Sequence, residues 1–221
     1  MRKIITLVAI LVTPLLAAQS SQEPDEISIQ AFTKLRMEYA GRPDYNPDSG
    51  WDDRKKVFEL SKAGEKEQAL AMCESRIKDC PIDSEVYIVR ALILRGRGDF
   101  QGYVKNKLIY QGLVASIVSS GDGFSPATAI KVVCVSEEYA LLNELGAELK
   151  QQELVSSEQR VYDKMTCEIS GKEVSFFFDV TLIFEARAKL MGLVDSDESV
   201  EKTQGKQFPK RHISFKNKRR S

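Results

Sequence analysis

The chain has 221 residues, 43% of them apolar, and its 32 Lys and Arg residues balance its 32 Asp and Glu residues. This apolar fraction is high enough for a folded core and excludes a chain that is disordered throughout. The only histidine, His212, lies near the carboxyl end in a segment without a core pattern, which all but excludes a Ser-His-Asp or Cys-His catalytic group, an H-E-x-x-H zinc site and a multi-histidine metal centre.

Residues 1–20 have the pattern of a secretory signal peptide. Arg2 and Lys3 precede an apolar run over residues 4–18, which is too short for an ordinary membrane span. The small residues of Ala18-Gln19-Ser20 suit cleavage either after Ser20 or after Ala18, and no cysteine follows the run to carry a lipid anchor. No later segment reaches transmembrane length. We therefore expect an exported protein that is periplasmic or secreted, with no membrane span once the signal is removed.

Residues 21–120 have the apolar periodicity of α-helices. Apolar side chains recur on one face of residues 27–39, which predicts a helix with a buried stripe. A loop follows, in which Asp48 or Ser49 can cap the next helix, beginning near Trp51. This part of the chain is therefore expected to form a helical half.

Two glycines that lie 34 residues apart, Gly64 and Gly98, indicate a repeat within this half. Each precedes an acidic residue, and Pro81 closes the first unit, a spacing typical of tetratricopeptide helix pairs. The large aromatic residue and the glycine expected early in each first helix are missing. We predict a short tetratricopeptide-like array of one and a half helix pairs. Because about three repeats are usually needed to stand alone, we expect it to pack against the carboxyl-terminal half.

Residues 119–142 join the two halves. Gly121-Asp122-Gly123 predicts a sharp turn, because glycine tolerates positive φ and an aspartate can bond its own backbone. Ser125-Pro126 predicts a cap followed by a first-turn proline. The β-branched residues 130–135 then predict a short strand, and Ser136-Glu137-Glu138 predicts the N-cap and acidic first turn of a helix.

This junction resembles the domain of unknown function 4919 family, exported proteins found mainly in Bacteroidetes. The residues that carry the resemblance are Ser120, Gly121, Asp122, Gly123, Ser125, Pro126, Thr128, Ala129, Glu137, Glu138 and Tyr139, with Phe32-Thr33-Lys34-Leu35-Arg36 and Arg42-Pro43-Asp44-Tyr45-Asn46-Pro47 upstream. The resemblance covers residues 27–182. It implies an architecture and an exported setting, and it implies no established activity.

Residues 121–192 predict a small α+β half. The pattern indicates a helix over residues 137–145, ended by Gly146, and then three strands and a final helix before Gly192. The strands cover residues 148–155, 160–169 and 173–180, with turns at Ser156-Ser157 and Ser170-Gly171, and the helix covers residues 182–191. The predicted fold class is therefore α+β: a short tetratricopeptide-like helical array, then a small antiparallel sheet covered on both sides by helices.

Residues 193–221 predict a disordered basic tail. Eight Lys or Arg residues oppose the single Glu201 over residues 201–221, and residues 1–20 hold two cations, so residues 21–200 carry a net charge of −9. The tail is either a solvated terminus or a binder of an anionic surface such as lipid, nucleic acid or polysaccharide. The cations that would bind such a surface are Lys206, Lys210, Arg211, Lys216, Lys218, Arg219 and Arg220.

Four cysteines in an exported chain raise the question of disulfides. Cys73 and Cys80 lie seven residues apart on one predicted helix, which separates them by about 10 Å along its axis and forbids a bridge unless the helix ends early. Cys134 and Cys167 fall in separate predicted strands and can pair only if those strands are neighbours. The alternative is four buried free thiols.

The remaining candidates for chemistry are carboxylates. Asp122 with Glu137 or Glu138 would form the acid pair of a glycan hydrolase if they shared a cleft, and Gly121-Asp122-Gly123 could be a calcium loop. A turn aspartate and helix-capping glutamates explain the same residues without a substrate. We expect no cofactor and no metal, and a non-catalytic role in binding another protein of the cell envelope. The alternatives are the carboxylate hydrolase and an anion or membrane-surface binder acting through the tail.

Overall fold

The computed structural model describes residues 26–157 and 159–193. The predicted signal peptide and the seven cations of the predicted tail lie outside these residues. Among the helices that are described, none is long and apolar enough to cross a membrane. The described chain has the predicted α+β fold, in which five α-helices precede a sheet that is accompanied by two further α-helices.

The first five helices confirm the predicted helical half. They are α1 (Glu26–Ala40), α2 (Trp51–Ala63), α3 (Lys66–Asp79), α4 (Ser84–Gly96) and α5 (Phe100–Val118). Gly64 and Gly98 follow the first helix of the pairs α2–α3 and α4–α5, with φ angles of 80° and 81°. Glycine adopts this left-handed conformation without strain. The 34-residue spacing therefore marks the same kind of helix end twice.

The predicted cap of α2 is wrong. Its N-cap residue is Gly50, with a φ of 74°, and no side chain caps the helix. The Asp48 carboxylate instead accepts two hydrogen bonds from Arg187, and the Ser49 carbonyl accepts one from Arg76. Both residues that local sequence assigns to capping are therefore engaged in tertiary contacts: Asp48 through its side chain and Ser49 through its carbonyl.

Four strands form one mixed sheet in the order β1-β4-β3-β2. They are β1 (Ile130–Lys131), β2 (Glu148–Ser157), β3 (Arg160–Ile169) and β4 (Lys172–Asp179). The β2, β3 and β4 strands are antiparallel as predicted, and β1 adds a short parallel pairing with β4. Ser170 and Gly171 form the predicted turn with positive φ angles of 51° and 78°. The other turn comes later than predicted, because Ser156 and Ser157 still belong to β2.

The strand predicted over residues 130–135 is shorter than expected. Only Ile130–Lys131 pairs in the sheet, and α6 (Val135–Glu144) begins with Cys134 as its N-cap, not with the predicted Ser136. The Val133 N–H donates to Glu137 Oε2 over 2.9 Å. The Glu137 side chain therefore takes the hydrogen bond that a longer strand would have needed.

One face of the sheet is buried against helices. Phe176 and Phe178 point to this face and pack with Met165 of β3 and with Ile183 of the last helix, α7 (Thr181–Leu190). Phe177 points to the opposite face, where it is half-buried beneath the Lys164 ammonium, 5.9 Å from the ring centre. Lys164, Thr166 and Ser175 on that second face are also only half-buried, so the prediction of helices on both sides is not met in this part of the sheet.

The two halves share a buried core, as expected for an array too short to stand alone. Tyr39 and Leu113 from the helical half pack with Val133, Cys134 and Ala186 from the sheet half. A second helical cluster, which includes Val57 and Val86, lies within the α2–α3–α4 array. The core between the halves fixes their relative position by burial of apolar surface.

The four cysteines are free and buried, which is the free-thiol alternative. Cys73 lies in α3, but Cys80 follows the end of that helix at Asp79, and Cys134 is a helix N-cap, not a strand residue. Burial raises the pKa of the Cys73 and Cys167 thiols to about 11 each. These thiols therefore act as small apolar core groups at neutral pH.

Candidate functional site

The predicted motif at residues 120–126 forms the loop that connects α5 to the sheet. Asp122 Oδ1 accepts hydrogen bonds from the Phe124 N–H over 2.9 Å and from Thr128 Oγ1 over 2.5 Å. This is the predicted turn in which an aspartate bonds its own neighbourhood. Ser125 and Pro126 open a single 3₁₀ turn as predicted, although the Ser125 hydroxyl bonds Thr128 Oγ1 and does not cap a backbone N–H.

The other residues of this loop fasten it to β1 and β4. Ser120 Oγ accepts a hydrogen bond from the Lys131 N–H over 2.9 Å, and the Gly123 carbonyl accepts one from the Phe177 N–H over 2.7 Å. A Cβ atom on Gly121 would clash with the backbone of Thr128, so only glycine fits there. The motif therefore has a structural role at the junction.

Glu137 belongs to a buried ion pair with Arg36 of α1. Arg36 Nε and Nη2 donate to Glu137 Oε1 and Oε2 over 2.7 and 2.8 Å, and each side chain is about 2% exposed. Arg36 Nη1 also donates to the Ser116 carbonyl over 3.0 Å, and Nη2 to the Lys131 carbonyl over 2.8 Å. One guanidinium thus connects α1, α5, β1 and α6. Both oxygens of Glu137 are engaged, so this residue is a structural clamp.

Glu138 is also buried, and its carboxyl group interacts with that of Asp163 in β3. Its Oε1 atom and Asp163 Oδ1 are buried without a hydrogen-bond partner among the described residues. Gln152 donates to the other oxygen of Asp163, and the Tyr139 hydroxyl donates to Gln152 Oε1 over 3.4 Å. Burial, and then the neighbouring Asp163 carboxylate, raise the pKa of Glu138 well above its ordinary value. Burial also raises the pKa of Asp163 to about 6.

A second buried ion cluster holds the array together. The Asp83 carboxylate is fully buried and its Oδ2 accepts hydrogen bonds from Arg54 over 3.0 Å and from Arg76 over 2.8 Å. Arg76 also donates to the Ser49 carbonyl over 2.8 Å. This cluster ties α2, α3 and the start of α4 together.

The acid pair that a glycan hydrolase would need is not assembled. Asp122 is bound within its own turn, Glu137 is neutralised by Arg36, and Glu138 is 1% exposed and opens to no substrate. Catalysis on a glycosidic bond requires two carboxyl groups on either side of an accessible sugar. The same turn bonds explain Asp122 without a calcium ion.

The candidate functional site is instead a surface on α5 that sequence reasoning did not single out. Phe100, Val104 and Leu108 recur every fourth residue and are 67%, 50% and 42% exposed. We call these three residues the outer stripe. Since they share one face of a helix with 3.6 residues per turn, they form a continuous apolar row about 12 Å long.

The outer stripe faces away from the rest of the array. On the opposite side of α5, Gly102 approaches the Leu94 side chain of α4 closely, and Asn106 is buried. Farther along α5, Phe32 of α1 packs directly against Gly112, where a Cβ atom would clash with its ring. Helix α1 thus covers the carboxyl-terminal part of α5, whereas the outer stripe on its amino-terminal part stays exposed.

Cationic side chains border the outer stripe. Helical geometry places Lys105 on one side of the row and Lys107 on the other. The Arg95 guanidinium and the Lys107 ammonium both lie over the Tyr103 ring, 5.4 and 5.8 Å from its centre. Helix α5 contains no Asp or Glu, and its N-cap Asp99 is bound to the Gly102 N–H.

Periodicity alone could not find this surface. Helix α5 has apolar residues on almost every side, so its sequence does not single out one buried face. Val114 and Ile117 are buried, whereas Tyr103 is half-buried. Only the spatial arrangement of α1 and α4 shows which apolar row is left uncovered.

Comparison with known proteins identifies one family. A family model described as a domain of unknown function (DUF4919) matches residues 15–189. Neither the curated proteins nor the solved structures include a match to this chain.

Proposed function

We propose, from the premise that this chain belongs to the domain of unknown function 4919 family, that it is a non-catalytic protein-interaction module of the cell envelope. The family description assigns no activity, so the proposal depends on features of this chain. The observation that carries it is the outer stripe, a row of three large apolar side chains left exposed on a helix whose opposite side packs on α4. A contiguous exposed apolar patch bordered by polar residues is typical of a protein-binding surface.

The arrangement of helices supports the same proposal. In arrays of helix pairs, each repeat packs only on its neighbours, and the outer face of the last helix accepts the next element. Helix α5 is the last helix of the α2–α5 array, and the outer stripe lies on its outer face. Export to the envelope is proposed from the signal-like pattern of residues 1–20, with Arg2 and Lys3 before an apolar run.

Val104→Asp should weaken capture of the partner at least tenfold, because it places a charge in the middle of the apolar row. The measurement is affinity capture from native envelope extract, with quantification of the recovered proteins by mass spectrometry. Leu190→Asp on α7 is the control, since Leu190 is 59% exposed and Val104 is 50% exposed. Both positions are open to solvent, so both variants should keep the fold, which thermal unfolding checks.

The proposal holds if one discrete protein is captured by the wild type and by Leu190→Asp and is lost with Val104→Asp. Equal recovery by all three proteins would contradict it. Recovery of anionic material that high salt removes, and that depends on residues 196–221, would instead support the tail as the binding element.

A further inference from the structure

We infer that the outer stripe binds a partner helix whose own apolar row is flanked by Asp and Glu residues. This inference rests on the proposed function and adds the structure and charge of the partner. It follows from three features of α5: the spacing of the stripe, the packing of α1 beside it, and the cations on both of its sides.

The spacing and the neighbouring packing indicate a helix. A row of side chains at every fourth position presents the ridge that fits between the side chains of a second helix. Helix α1 already packs on α5, with Phe32 against Gly112, which continues the same four-residue spacing beyond Leu108. A partner helix on Phe100, Val104 and Leu108 would lie beside α1 and extend the layer that α1 begins.

The bordering charges indicate acidic flanks. Lys105 and Lys107 lie on opposite sides of the row, and Arg95 lies beside Lys107 over the Tyr103 ring. Asp99 is the acidic residue nearest in sequence, and it is bound to the Gly102 N–H. Acidic residues on both sides of a partner's apolar row would meet these cations, whereas basic residues would be repelled.

The charges disfavour two other ligands that could cover the outer stripe, a membrane and a second copy of the chain. An anionic membrane presents a broad negative surface, which would also face a body whose residues 21–200 carry a net charge of −9. A second copy of the chain docked through the same row would bring its Lys105 and Lys107 against those of the first. A single acidic helix would meet Lys105 and Lys107 along the row and would cover less of the negative body than a membrane does.

The test uses two synthetic peptide helices with the same leucine row, one flanked by Glu and the other by Lys, and vesicles that contain phosphatidylglycerol. Binding is measured by fluorescence anisotropy for the wild type, for Lys105→Glu/Lys107→Glu and for Val104→Asp. The control Lys55→Glu/Lys56→Glu changes the net charge equally at two exposed positions of α2.

We expect the wild type to bind the Glu-flanked peptide at least tenfold more tightly than the Lys-flanked peptide. Lys105→Glu/Lys107→Glu should reverse this preference, Val104→Asp should abolish binding of both peptides, and Lys55→Glu/Lys56→Glu should change nothing. Equal binding of the two peptides, binding of neither, vesicle binding that depends on Lys105 and Lys107, or self-association lost with Val104→Asp would each overturn the inference.

The capture experiment keeps this test separate from the proposed function. If Val104→Asp abolishes capture of an envelope protein but the Glu-flanked peptide is not preferred, the binding surface is correct and the inferred charge of the partner is wrong. If Val104→Asp has no effect on capture, the proposed function fails as well.

Discussion

Replacing Arg36 with Met should lower the free energy of unfolding by about 3–5 kcal/mol, the usual cost of breaking a buried ion pair by removing one partner. The substitution leaves the Glu137 carboxylate buried with only the Val133 N–H as a donor. It also removes the hydrogen bonds that Arg36 donates to the Ser116 and Lys131 carbonyls. Chemical denaturation at neutral pH measures the loss.

A matched control lies on the same helix. Lys34 pairs with Glu38 over 3.6 Å, but its side chain is 76% exposed. Because exposed pairs contribute about 0–1 kcal/mol, Lys34→Met should change stability little. The double variant Arg36→Met/Glu137→Met should be more stable than Arg36→Met, since it no longer buries an unpaired charge. Equal stability of the Arg36→Met and Lys34→Met proteins would show that Arg36 is not a clamp.

Replacing Glu138 with Gln should stabilise the protein by about 1–3 kcal/mol near pH 8, because the buried carboxyl must hold a proton or bury a charge there, whereas the amide is always neutral. The ordinary pKa of this carboxyl is 4.5, and the fold raises it. The folded state therefore holds a proton that the unfolded state releases as pH rises above this value. The stability linked to Glu138 is fully present below its unfolded pKa and is lost as pH rises through its folded pKa.

Two other carboxyl groups contribute to the same decline in stability. Burial raises the pKa of Asp163 to about 6 and that of Glu85 to about 7. Arg187 opposes the shifts of Glu138 and Asp163, and it is itself bound to Asp48. Glu138→Gln should therefore reduce the fall in stability between about pH 5 and pH 8, without abolishing it.

Denaturation curves collected across this pH range measure the effect, with Glu59→Gln on the exposed side of α2 as the control. The Glu138→Gln and wild-type proteins should have similar stability near pH 5 and should diverge as pH rises. Parallel pH profiles for the two proteins would mean that Glu138 is not held as a neutral acid in the fold.

Local patterns predicted most of the elements because neighbouring residues determine them. The strand expected over residues 160–169 is β3 with the same bounds, and the turn at Ser170-Gly171 follows from a glycine beside a small polar residue. The 34-residue spacing of Gly64 and Gly98 predicted the repeated helix end, since a left-handed residue there favours glycine. These features need no knowledge of distant contacts.

The errors arise where distant contacts prevail. The β-branched residues 130–135 read as a strand, but Glu137 takes the Val133 N–H and α6 begins at Val135. Arg36 resembles a solvated residue of an amphipathic helix, and its partner lies 101 residues later in the chain. Glu137 and Glu138 resemble ordinary first-turn acids, although each is 1% exposed. Burial of these charges depends on the packing of separate elements, which periodicity does not report.

The central claim is that the outer stripe binds a protein of the cell envelope. The most direct measurement is crosslinking in living cells with a photo-reactive phenylalanine analogue in place of Phe100. The same analogue in place of Phe124, a phenylalanine 39% exposed at the junction loop, is the control. We predict a discrete covalent adduct with one envelope protein at position 100 and none at position 124. Adducts at both positions, or at neither, would contradict the claim.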